Sequence, residues 1–191
     1  MLHLAQKVTG APVTAIDGEI GKLEDFYFDE AGWTVRYLLV DTGDGKRVLL
    51  SPSSVQNGWG RAGVRVNLSC DDVRNSPDAD GASLGAAHGV LDSVRKTSGY
   101  HIHALNGEIG HVDDFLIGGD SWRVRYLLVD TSNWIGGRSV IVSSEAVERV
   151  DKADNKLYVA ADRDTIANAP ALESIDAALS QAEIGPPFTI I

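Results

Sequence analysis

The stretch Trp33-Thr34-Val35-Arg36-Tyr37-Leu38-Leu39-Val40-Asp41-Thr42 returns almost unchanged as Trp122-Arg123-Val124-Arg125-Tyr126-Leu127-Leu128-Val129-Asp130-Thr131, an offset of 89 residues (122 − 33). Self-similarity at a fixed spacing means one structural unit written twice, so a chain of 191 residues divides into two modules of roughly 80 to 95 residues. The same offset relates Asp17-Gly18-Glu19-Ile20-Gly21 to Asn106-Gly107-Glu108-Ile109-Gly110. Asp-Gly or Asn-Gly between apolar segments signals a β-hairpin. Glycine at both matched places, Gly18 with Gly107 and Gly21 with Gly110, implies a positive φ or a close backbone approach that a side chain would block.

Two β-rich runs, Lys22 to Phe28 and Trp33 to Val40, flank Asp29-Glu30-Ala31-Gly32, a loop of common hairpin length. Symmetric closure sets Phe28 opposite Trp33, Phe26 opposite Val35 and Asp25 opposite Arg36; the second copy sets Asp114 opposite Arg125. Period-two alternation then gives one core face carrying Phe26, Phe28, Trp33, Val35 and Tyr37. The other face is expected to carry register-fixing ion pairs, Asp25 with Arg36 and Asp114 with Arg125, each worth about 0.2–1 kcal/mol. Burying Trp33 and Trp122 contributes more, on the order of 1.5–3 kcal/mol each.

Each copy ends in a last strand, Val64–Leu68 or Leu157–Ala161. A short helix follows, capped by Ser69 or Asp162 and stopped by Pro77 or Pro170. Many short strands with turn signals and no long helix predict an all-β fold with short helices, a barrel or sandwich in each copy. The first module is assigned to 1–77, a linker of mostly small residues to 78–93, the second module to 94–170, and a weak helix with an apolar tail to 171–191.

A formal charge of −10 repels phosphate backbones, which disfavours nucleic acid as a partner. Cys70 is the single cysteine and can make no intrachain disulfide. No apolar run approaches the roughly 20 residues that span a bilayer, and the first residues lack the layout of a secretion signal. A cytoplasmic location without a transmembrane segment is the expectation from these features.

Catalytic patterns do not assemble. There is no Gly-x-Ser-x-Gly elbow, and Gly43-Asp44-Gly45-Lys46 lacks the spacing of a phosphate loop. Asp78-Ala79-Asp80-Gly81 lacks the Glu of a calcium loop. The adjacent acids Glu24-Asp25 and Asp113-Asp114 point to opposite faces of a strand and cannot jointly flank a bond. Three histidines fall in the second module: His101 and His103, two apart on a strand, share a face, with His111 nearby. They are weak metal candidates, because Pro12, Thr14 and Lys22 take their places in the first copy and no fourth ligand is evident. No cofactor is implied. Trp59, Trp134, Ile135 and Phe188 are large apolar groups on predicted loops or the tail, and are the candidate partner contacts.

With its two Gly-Glu-Ile-Gly turns, the Asp-Phe that follows each, and the two Val-Arg-Tyr-Leu-Leu-Val-Asp-Thr strands, the chain resembles a tandem PRC-barrel protein. That family takes its name from a small β-barrel in the photosynthetic reaction-centre H subunit, found also in a ribosome-maturation factor. The resemblance implies two tandem small β-barrels, each closed by a short C-terminal helix, over Leu4 to Pro77 and Thr97 to Pro170. It also implies a non-enzymatic interaction or scaffold role toward a protein partner whose identity the sequence does not give. A reaction-centre-like electron-transfer accessory role, a small-ligand or metal-binding barrel, and homo-oligomerisation stay open.

Overall fold

The computed structural model describes residues 1–56, 58–79, 90–131 and 138–171. The first repeat runs β1 (Leu2–Leu4), the one-turn helix α1 (Ala5–Val8), β2 (Pro12–Ala15), β3 (Gly18–Asp29), β4 (Thr34–Asp41), β5 (Arg47–Leu50), a 3-10 turn at Pro52–Ser54, β6 (Val64–Arg65) and α2 (Cys70–Arg74). The second runs β7 (Leu91–Ser93), α3 (Val94–Thr97), β8 (His101–Ala104), β9 (Gly107–Gly118), β10 (Val124–Asp130), β11 (Ser139–Ser143), a 3-10 turn at Ser144–Ala146, β12 (Val147–Asp151), β13 (Lys156–Val159) and α4 (Arg163–Ala167). The chain is all-β with short helices.

One sheet has the order β5-β4-β3-β2-β6, the other β11-β10-β9-β8-β13-β12. In both, a long bent strand pairs with the strands on either side of it. Off these paths, β7 pairs with β3 and β1 pairs with β9, so the opening strand of each repeat lies in the sheet of the other. β7 falls in the stretch that composition reads as linker. Its residues pair antiparallel with β3 as Tyr27 with Ser93, Phe28 with Asp92 and Asp29 with Leu91.

The compact units accordingly do not follow the repeat boundaries. One consists of His3–Lys96 with Ile117–Val124; the other of Met1–Leu2, Thr97–Leu116 and the described residues from Arg125 onward. In the former, Leu23, Phe26, Phe28 and Leu38 are fully buried. In the latter, Ile102, Ile109, Phe115, Leu127, Ile141 and Leu157 are. These are the inward positions of alternating strands, where each large side chain withdrawn from water contributes on the order of 1.5–3 kcal/mol.

Local chemistry explains the ends of the elements. Ser69 accepts from the Asp72 N–H while the Asp72 side chain accepts from the Ser69 N–H, a complete capping box at the start of α2. Asp162 caps α4 through the Thr165 N–H. Hairpin turns tie down both helices, since the Asp17 carboxylate accepts from the Cys70 N–H and the Asn106 amide oxygen from the Arg163 N–H. The Cys70 N–H bond holds the Asp17 carboxyl below the ordinary carboxylate value.

The predicted register of the β3–β4 hairpin is corrected. Asp29 pairs with Thr34, Phe28 with Val35, Tyr27 with Tyr37 and Asp25 with Leu39, with irregularities on both sides of the Asp25-to-Tyr27 run. The loop is shifted by one residue because Trp33 leaves the strand at φ 49°, as Trp122 does at φ 55°. Arg36 therefore meets Asp29, not Asp25. In the second repeat Gly118 stands at the place of Asp29, and Arg125 is exposed.

Candidate functional site

Asp25 is 2% exposed. Its carboxylate accepts from the Phe26 N–H at 2.8 Å, the Arg95 N–H at 3.1 Å and the Ser93 hydroxyl. Burial pushes its pKa above the ordinary value, against the opposing pull of these three donors. Asp114 is likewise buried and accepts from the Phe115 N–H at 2.7 Å. The expected outer-face pairs Asp25–Arg36 and Asp114–Arg125 are thus replaced by buried, hydrogen-bonded carboxylates.

Trp59 is 4% exposed, so the side chain expected to reach outward is packed inside. It stacks on Trp122 at 4.3 Å with 8° between the planes, and its Nε1–H donates to the Gly119 carbonyl at 2.8 Å. His3 lies against it at 4.4 Å and Phe26 at 5.9 Å. Burial lowers the His3 pKa, helped by the N-terminal charge and opposed by Asp120. Beside this cluster the Val35 N–H donates to the Trp122 carbonyl and the Val124 N–H to the Trp33 carbonyl, both at 2.7 Å. Each bond maps onto the other under the repeat offset. A bulky residue at positive φ is strained, and here reciprocal bonds and ring stacking hold two of them. Trp134, Ile135 and Phe188 lie outside the described residues.

The glycine expectation has a definite physical form. A Cβ on Gly21 would sit 2.0 Å from the Asp41 carbonyl oxygen, and one on Gly110 would sit 2.1 Å from that of Asp130. Gly18 and Gly107 adopt φ 156° and 129° with no such backbone obstruction.

The three histidines stand on the outward face of β12-β13-β8-β9. In β8, Ile102 is fully buried and pairs with the buried Leu157, so His101 and His103 project to the opposite side. Register builds two rows across these strands. One contains Arg149, Tyr158, His103 and Glu108; the other contains Asp151, Lys156, His101 and His111.

The first row is in direct contact. The Arg149 guanidinium lies 4.0 Å from the Tyr158 ring centroid, and the His103 ring lies 5.3 Å from the same centroid. Glu108 joins the rows: Oε1 is 2.8 Å from His101 Nδ1 and Oε2 is 3.5 Å from His103 Nε2. His111 Nε2 is 3.9 Å from the Asp130 carboxylate, and Arg149 pairs with Asp151 at 2.9 Å. Among the described residues no group of three or more His, Cys, Asp or Glu side chains is arranged to hold a metal ion. The face can instead present cations, imidazoles and a ring to a partner.

Sequence reasoning reached only the β8 and β9 half of this face. The alternation Lys156-Leu157-Tyr158-Val159 signals a strand, but its parallel pairing with β8 joins residues too far apart in the chain for local pattern to specify. In the first repeat the matched positions are Pro12, Thr14, Lys22 and Glu19, with Gly63 and Arg65 in the places of Lys156 and Tyr158. Only the shared glutamate is common to both.

Two strand-rich modules of one pattern, each built on a long bent hairpin and ended by a capped helical turn, define a duplicated small β-barrel. The PRC-barrel domain family matches residues 2–65 and 104–166, and the chain belongs to that family, carrying the domain twice. No match to a curated protein accompanies this one. Among the described residues no helix is long and apolar enough to cross a membrane.

Proposed function

We propose that the chain is a non-enzymatic interaction module and that its protein partner docks on the outward face of β12-β13-β8-β9. The supporting observation is the row Arg149–Tyr158–His103–Glu108, which sits on the solvent side of a sheet whose inward residues already make the core. At the same places the first repeat keeps an equivalent strand pairing with Thr14 and Arg65. The fold therefore does not require the imidazole or the ring, and their presence is available for recognition. Tyrosine and arginine, with tryptophan, are the side chains enriched where interfaces concentrate their binding energy.

The test replaces them by the letters of the first repeat, His103→Thr with Tyr158→Arg, in the full chain. Cross-linked affinity capture should lose its specific partner by at least about tenfold, as expected when an aromatic anchor is removed. The melting temperature should stay close to that of the native protein. Equal recovery of the same partner by the native and altered chains would contradict the assignment.

A further inference from the structure

An edge of β3 receives β7, the opening strand of the second repeat. β1 with α1 and β7 with α3 are the same element at the repeat offset, Leu2–Val8 against Leu91–Thr97, with different side chains at the matched positions. Ser93 supplies a hydroxyl to the buried Asp25 carboxylate and also accepts from the Lys96 N–H at 3.0 Å. The Arg95 N–H donates to the same carboxylate, and its guanidinium reaches Glu24 at 2.9 Å. At the matched positions of the first repeat stand Leu4 and Gln6. Were β1 to fold back on the β3 of its own repeat, Leu4 would bring a side chain without a donor against a buried carboxylate, leaving one of its bonds unmade.

We infer that the β3 edge with Glu24 and Asp25 is a docking site for Leu91–Thr97 and rejects Leu2–Val8, so that the halves of the chain recognise each other without the covalent connection between them. The pairing of β1 with β9 completes the exchange in the other direction. The Thr34–Arg123 bridge, with its flanking Val35–Trp122 and Val124–Trp33 bonds, adds a second contact between the halves. The partner that fits this surface is the second repeat, identified by a hydroxyl at position 93 and a cation at position 95.

The test uses the full folded chain carrying a protease site between Ala86 and Ala87. After cutting, the two fragments should co-elute from a sizing column at the volume of the uncut protein and separate only in denaturant. Elution of two separate folded fragments would overturn the inference. Ser93→Leu places at the docking site the residue that β1 carries. The cut variant should associate at least about tenfold more weakly, while the uncut variant retains its far-ultraviolet circular dichroism. Unchanged association of the cut Ser93→Leu protein would overturn the claim of specificity.

Discussion

A carboxylate at a position where strand alternation suggests a solvent-facing ion pair instead lies inside the fold, and the consequence is measurable. The pKa of Asp25 is raised by burial, so the folded chain binds the proton more tightly than the unfolded chain. Its contribution to stability is complete below the ordinary carboxylate value of 3.8 and is lost as pH rises through the higher folded value. Asp25→Asn keeps an acceptor for the Phe26 and Arg95 N–H groups and can turn its amide toward the Ser93 oxygen. It also removes the ionisation. Urea unfolding should show the variant gaining stability relative to the native protein as pH rises above the ordinary carboxylate value of 3.8, each tenfold of proton affinity corresponding to about 1.4 kcal/mol. A gain that shrinks with rising pH would show that the carboxylate is favoured in its charged form. The sequence could not reveal this environment, because Ser93 and Arg95 are brought to Asp25 from the other repeat.

At the scale of elements, legibility follows the range of the deciding interaction. The helices after Ser69 and Asp162 are readable because a cap and its amides are neighbours in sequence. The recurrent glycines are readable as sites of constraint, since Gly21 and Gly110 each face a backbone carbonyl of the next strand. The hairpin register is not readable. A one-residue displacement of the loop depends on Trp33 holding a positive φ, which is fixed by Val124 and by stacking on Phe28 at 5.2 Å. Gly21→Ala should therefore cost several kcal/mol in chemical denaturation, by driving β3 away from β4. Gly43→Ala, at φ 76° with nothing within 4 Å of the added carbon, should cost only the conformational strain of about 1–2 kcal/mol. Equal costs for the two would show that close strand approach at Gly21 is unimportant.

For the whole molecule, duplication is plain in the sequence and the exchange of opening strands is hidden. Leu91-Asp92-Ser93 follows a stretch of small residues and reads as the end of a linker, because its pairing partner Tyr27–Asp29 lies in the preceding repeat. The outward face is split in the same way: His101 and His103 announce themselves by spacing, whereas Arg149 and Tyr158 join them only through strand pairing. What the repeats share, the buried carboxylates Asp25 and Asp114 included, serves packing, close strand approach and helix caps; where they differ, the second repeat carries the imidazole and aromatic row and the Ser93 hydroxyl that reaches Asp25. The most direct measurement of this account is the set of cross-strand proton contacts made by Leu91–Ser93 in nuclear magnetic resonance spectra of the intact protein. The exchange predicts contacts to Tyr27, Phe28 and Asp29 of β3. Contacts of Leu91–Ser93 to β9, with Leu2–Leu4 taking their place on β3, would contradict it.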